Sequence, residues 1–270
     1  MLHMEKAVLI TGVAGGIGSA TAKKFLSEGY TVFGLDYKEP EEQDKNLIFY
    51  KTDLTKEDEV IKAFKQIEAT FYKFEAILHA VGICDLNSLI EMSEEDFIRT
   101  FDINVFATFR VNKAFLPLLE EKGKIIMISS EVAPLEPFPF NGIYGMSKTL
   151  VEKYAYSLRM ELQLLNYQVV VVRPGATNTL MLDDTKRRLD KFTSTTTHYK
   201  YNSQRFKDIV DSVESKNLPP EKVANLLYKI SNKKKPKYIY QINRNPYLIL
   251  LNIAPKRFQN WIIKKILTSK

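Results

Sequence analysis

The sequence predicts one doubly wound α/β sheet, parallel and covered by helices on both faces. Three observations carry this. Short β-branched runs alternate with longer stretches of helical spacing. The runs are continuously apolar instead of alternating, which is how a strand buried on both faces reads. A glycine-rich turn, Thr11–Gly18, directly follows the first run, at the kind of strand end where such sheets hold ligands.

In chain order, strands are expected at Ala7–Thr11, Thr31–Leu35, Leu47–Lys51, Ala76–Ala80, Lys124–Ser129 and Gln168–Arg173. Between them helical spacing runs over 18–29, 56–70, 93–119 and 142–165. Right-handed crossovers then leave few topologies. No internal repeat or low-complexity linker appears before residue 180, so one catalytic domain over 1–245 is expected. From Leu180 to Pro220 the chain turns polar and Thr-rich (Thr193, Thr195, Thr196, Thr197), with few residues for a core stripe. This excursion lies beyond the C-terminal end of the strand at Gln168–Arg173. Long loops in compact domains are usually functional, so 180–220 reads as a substrate lid over an ordinary surface excursion. Pro219-Pro220-Glu221 opens a helix with proline in its first turn, and Lys237–Tyr240 reads as a last strand.

Composition excludes several classes. With 270 residues, 45% hydrophobic and 26% charged, the chain buries a sizeable core. A single cysteine, Cys84, rules out an internal disulfide. Three scattered histidines (His3, His79, His198) make no metal cluster, and no metal is expected. The first residues do not read as a signal peptide, and apolar runs such as Tyr247–Leu251 fall far short of the ~18 residues of a membrane span. A soluble, cytoplasmic protein is the expectation. Its net charge of +7 is uneven: between 221 and 270 twelve Lys/Arg face one acidic residue, a local +11 that leaves residues 1–220 at −4. Nucleic acid is therefore not an expected partner.

The turn Thr11-Gly12-Val13-Ala14-Gly15-Gly16-Ile17-Gly18 leads into an Ala-rich helix. Gly12 permits a sharp exit from the strand, Gly16 lets backbone approach a pyrophosphate, and Gly18 lets the helix pack close to the sheet. A nucleotide site follows from this strand–turn–helix context. The second strand ends at Asp36, whose carboxylate suits the adenosine ribose hydroxyls and would repel a 2′-phosphate. No basic residue occupies Val13–Gly15; Lys38 is the nearest base. NAD is preferred over NADP. The structural alternative for Asp36 is a turn or helix-cap aspartate.

Tyr144-Gly145-Met146-Ser147-Lys148 places a phenol and an ammonium at i and i+4, on one helix face. A free phenol, with a pKa of about 10, is a poor acid at neutral pH, and a nearby cation would bring its proton into range. Together with Asp53, Asn104, Ser129-Ser130 and Pro174-Gly175, in this order and spacing, the chain resembles the short-chain dehydrogenases/reductases over about residues 5–180. It is most similar to the short branch of that family. The resemblance implies a Rossmann-type sheet and hydride transfer between a nicotinamide and a secondary alcohol/ketone pair. By it, Tyr144 would be the acid/base, Lys148 would lower its pKa and bind the nicotinamide ribose, and Ser130 would hold the substrate oxygen. Asn104 would hold a relay water. Gly12, Gly16, Ile17, Gly18, Asp36, Asp53, Leu54, Gly82, Pro174, Gly175, Thr177 and Thr179 would join Tyr144 and Lys148 in contacting the cofactor.

Two features depart from the family pattern. Where the family has Asn-Asn-Ala-Gly the chain has His79-Ala80-Val81-Gly82, and His79 reads as a buried strand histidine. Ser130 stands one position further from Tyr144 than usual, which a bulge within Glu131–Asn141 would absorb. Cys84 reads as a buried thiol. The ending resembles hydroxysteroid- and retinol-dehydrogenase-like members and suggests an apolar substrate such as a steroid, retinoid or lipid-derived carbonyl. The family commonly forms homodimers or homotetramers. The tail, 246–270, carries a basic amphipathic helix with Phe258 and Trp261. It suits peripheral contact with the inner membrane surface, or packing on its own domain, a partner subunit or the cleft. The functional alternative to an enzyme is a non-catalytic dinucleotide-binding sensor or scaffold.

Overall fold

The computed structural model describes residues 6–214 and 218–268. Seven strands form one parallel sheet: β1 (Ala7–Thr11), β2 (Thr31–Asp36), β3 (Leu47–Lys51), β4 (Phe74–His79), β5 (Leu119–Ile128), β6 (Gln168–Pro174) and β7 (Ile239–Ile242). Their order is β3-β2-β1-β4-β5-β6-β7, so the direction of winding reverses between β1 and β4. That reversal opens a crevice at the C-terminal strand ends, where this class binds ligands.

The continuous apolar runs now have a reason. On β1, Ala7 and Leu9 join a core with α2 (Glu57–Glu68), α4 (Ala107–Phe115) and α5 (Gly142–Leu162), while Val8 and Ile10 join a second core. The latter is covered by α1 (Gly16–Ser27) and α8 (Pro220–Ser231), whose Phe25, Val223 and Leu227 are buried. Period-two side-chain alternation thus feeds both faces, and neither face can be polar.

Three elements differ from the sequence expectation. The single helix expected over 93–119 is α3 (Glu94–Phe101), a wide π-turn at Asp102–Phe106, and α4, closed by a 3₁₀ turn. β5 starts at Leu119, earlier than expected, because its first residue pairs Phe74 before an irregularity that includes Lys122 in the left-handed region (φ 61°). Finally, 180–220 is not a long loop: it forms α6 (Leu180–Thr195) and α7 (Lys200–Glu214). Their Leu189 and Phe192 pack with Leu86 and Phe140 into a small third core. The tail adds α9 (Pro246–Ile253) and α10 (Lys256–Thr268).

Candidate active site

The glycine turn is shaped by close approach. Gly12 has φ +73°, and a Cβ there would meet Val81 N at 2.8 Å; one on Gly18 would lie 1.8 Å from Gly12 O. Gly16 faces Thr179, with 2.6 Å between a built Cβ and the threonine side chain, so the start of α6 lies directly on the turn. The helix start carries no side-chain cap and no acidic residue in its first turn. Its N–H groups and dipole are therefore available to an anion such as a pyrophosphate. Ile17 is half-buried against the α1/α8 core.

Asp36, buried at the end of β2, accepts from Ala14 N (3.0 Å) and Lys38 N (3.0 Å). Its carboxylate thus stands at the glycine turn, both as a brace and as a fixed negative charge. Asp53 accepts from Thr55 N and Oγ1; burial pulls its pKa up, but these bonds and Lys56 hold it below the ordinary carboxylate value. Leu54 is buried beside it and accepts from Arg110 through its carbonyl. These residues, with the uncapped helix start, fit a dinucleotide.

The π-turn brings Asn104 inward. Its Nδ2 donates to Ile83 O (3.0 Å) and Ser147 Oγ (2.9 Å), and its Oδ1 accepts from Ile83 N (2.8 Å). Ser147 in turn donates to Tyr144 O, tying Asn104 to the start of α5. Ser147 escaped the sequence reading, although it lies between Tyr144 and Lys148. Gly82 is small because Asn104 Oδ1 and Lys148 Nζ both converge on it, each 3.2 Å from a built Cβ.

Lys148 is buried and donates to Ile128 O (3.2 Å); desolvation lowers its pKa to about 8. Its Nζ lies 5.8 Å from the centre of the Tyr144 ring. Burial dominates at Tyr144 and raises its pKa, with the neighbouring Cys84 and Glu131 adding to the rise and Ser130 as a hydrogen-bond partner pulling it down. The expected lowering by Lys148 is therefore not what governs the phenol in this structure; desolvation wins.

The longer Ser130–Tyr144 segment is absorbed by turns and by Phe140 in the left-handed region (φ 64°), which buries that ring in the third core. Ser129 points elsewhere, donating to Glu152 Oε1 (2.8 Å), and Arg173 grips the same carboxylate through two bonds. This Ser129–Glu152–Arg173 brace fixes α5 against β5 and β6. No sequence spacing announced it.

Other expected residues have packing duties. Pro174 ends β6 and accepts from Glu131 N; Gly175 abuts Asn243 O, 1.8 Å from a built Cβ; Thr177 donates to Gly175 O. Pro174 and Gly175 thus meet Glu131, the residue after Ser130, on one side and Ile242 and Asn243 at the exit of β7 on the other. His79 is buried, its Nε2 paired with Asn112 Oδ1 (2.8 Å), and burial lowers its pKa to about 4. Cys84 is pushed up to about 12, chiefly by burial, so it is no nucleophile at neutral pH. A shallow hollow bordered by Gln43, Asp44, Leu47 and Phe49 lies at the β3 edge, away from this cluster.

Comparison with known proteins agrees with the geometry. The short chain dehydrogenase family model matches residues 6–190. A 3-ketodihydrosphingosine reductase of Bacteroides thetaiotaomicron is 28% identical over 233 residues, covering 86% of this chain and 85% of that protein. An NADPH-dependent 3-dehydrocapnine reductase of Ornithobacterium rhinotracheale is 29% identical, covering 95% of both chains. The structure of a short chain dehydrogenase family protein from Francisella tularensis has the same fold, with a TM-score of 0.74, 22% identity, and coverage of 88% and 97%. The chain therefore belongs to the short-chain dehydrogenases/reductases, NAD(P)-dependent oxidoreductases acting on alcohol and carbonyl groups.

Proposed function

We propose that this protein reduces the ketone of an apolar, lipid-derived substrate with NADH. The observation that carries the chemistry is geometric: Lys148 Nζ and Asn104 Oδ1 converge on Gly82, and the same Lys148 Nζ lies 5.8 Å from the centre of the Tyr144 ring. Bound NADH supplies the hydride. Tyr144, kept protonated by burial, is in the state a proton donor needs, and gives its proton to the carbonyl oxygen as charge develops there. Ser130 donates a hydrogen bond to the same oxygen. Lys148, with a pKa of about 8, holds a proton near Tyr144 and can pass it on close to neutral pH. Asn104 positions the turn that carries both through Ser147.

The substrate class rests on the two relatives, whose names denote lipid ketone reductases, more than on the steroid- or retinol-like ending of the chain. NADH is favoured by the Asp36 carboxylate, although the capnine relative is NADPH-dependent by name. Pairing of subunits through α4 and α5 and work at the cytoplasmic face of the membrane complete the reading, with 1–245 as the catalytic domain and 246–270 as its tail.

The test is NADH oxidation by the purified protein against long-chain 3-keto lipids, oxosteroids, retinoids and short ketones, repeated with NADPH. The expected result is turnover on a long-chain ketone with NADH preferred. Tyr144→Phe should lose at least about 10²-fold in kcat while NADH still binds, followed by its fluorescence. Undiminished turnover by the variant would refute the role of Tyr144. Binding of NADH without turnover on any ketone would favour the sensor reading.

A further inference from the structure

The tail is fastened at both ends to walls that flank Tyr144. Its start is held by Glu131, next to Ser130, whose Oε2 accepts from Asn245 N at 2.6 Å. Glu136 N donates to Asn252 Oδ1 on α9, and Lys256 pairs with the Glu136 carboxylate. Buried Gln259 closes the corner by donating to Asn252 O and Ala254 O. The far end of α10 accepts from α7: Asn202 Nδ2 donates to Leu267 O and Arg205 Nε to Ile266 O. α7 packs on α6, whose Met181 reaches the Gly82–Asn104–Lys148 floor. The helix pair therefore lies between the loop after Ser130 and the α6–α7 wall.

Its other side faces out. Tyr247, Leu250 and Ile253, at i, i+3 and i+6 on α9, are 76%, 69% and 76% exposed. On α10, Phe258 and Trp261 stack with ring centres 5.8 Å apart and are about half exposed. Exposed Arg244, Arg257, Lys264 and Lys265 flank these apolar residues along the chain, and the chain from 222 onward has no acidic residue. No described helix is long and apolar enough to cross a membrane. Exposed apolar and aromatic residues interleaved with bases match the interface of an anionic bilayer. A second copy of the chain fits less well, since two such basic tails would repel.

We infer that α9 and α10 seat the protein on an anionic lipid surface, on the side of the molecule where they bridge the loop after Ser130 and α7. The benefit to catalysis rests on the reading of the substrate as a lipid ketone: its chain would pass from bilayer to Tyr144 without crossing water. Docking itself needs no substrate and is read separately.

Trp261 is the sole tryptophan, so its emission reports the tail alone. The full chain is mixed with phosphatidylcholine vesicles, with or without 30 mol% phosphatidylglycerol, the latter composition repeated with brominated acyl chains. Co-sedimentation with the anionic vesicles, a blue shift of Trp261 and quenching by the brominated chains are expected. Lys264→Glu/Lys265→Glu and Leu250→Asp/Ile253→Asp should each lower vesicle partition at least about tenfold, with turnover of a detergent-dispersed ketone unchanged. Equal partition onto neutral and anionic vesicles, or no quenching, would overturn the inference. So would a blue shift that grows with protein concentration in the absence of lipid, which would identify a second copy as the occupant. Vesicle binding without any ketone turnover would leave the docking standing and refute the lipid-ketone reading.

Discussion

At Lys148 two demands conflict. The site needs an ammonium beside Tyr144, yet burial disfavours the charged form and lowers its pKa from the ordinary 10.5 to about 8. At pH 7 the folded and unfolded chains both carry the proton, so the full penalty, on the order of 3 kcal/mol, is present. As pH rises from 8 to 10.5 the folded chain sheds its proton first, and stability rises. Lys148→Met should therefore be inactive but more stable than the parent at pH 7, with the gap narrowing toward pH 10.5. Urea unfolding of both proteins at several pH values checks this; parallel profiles would show that the lysine is not held under strain. Tyr144 and Lys148 were legible in the sequence, because their roles need residue types at a fixed helical spacing. Which effect rules the phenol was not, since desolvation depends on everything packed around it.

Strand β4 ends in a substitution with a cost of its own. His79, standing where the family pattern of the sequence analysis has asparagine, bonds Asn112 on α4 and stays neutral down to a pKa of about 4. The unfolded chain takes up this proton near pH 6.5, so stability is lost as pH falls from 6.5 toward 4, up to about 3 kcal/mol. His79→Asn should flatten the acid limb of the stability profile; unchanged acid sensitivity would place its origin in other groups. Most strands and α1, α2 and α5 could be read from sequence because sheet burial writes unbroken apolar runs and stripes. α6 and α7 could not. On α6 Thr185, Leu189 and Phe192 are buried at i, i+4 and i+7, and on α7 Ser203 with half-buried Phe206 and Val210 also keeps a helical spacing, but the threonine and serine in these stripes hide them from an apolar pattern. The π-turn was also hidden: one extra residue in a helical turn barely disturbs a 3.6-residue period. The Glu152–Arg173 brace joins positions far apart in sequence and follows from the fold alone.

For the molecule as a whole, the π-turn, α4 and α5 leave Phe106, Phe109, Tyr156 and Met160 half exposed on the outside of the larger core. Such a patch suits an isologous contact with a second subunit. Light scattering should give a dimer or a multiple of it, and Phe109→Glu should lower the mass; a monomeric parent would remove this surface from consideration. The third core has a different consequence. Its fully buried apolar part consists of Leu86, Phe140, Leu189 and Phe192, far fewer groups than either face of the sheet buries. The helices it holds should breathe as one unit at a free energy well below that of global unfolding, with amides in 180–210 exchanging sooner than those of β1 and β4. The clock of the enzyme would then be this motion and not bond breaking. Deuterium at the transferred position of the nicotinamide should leave kcat almost unchanged, while added viscogen slows it.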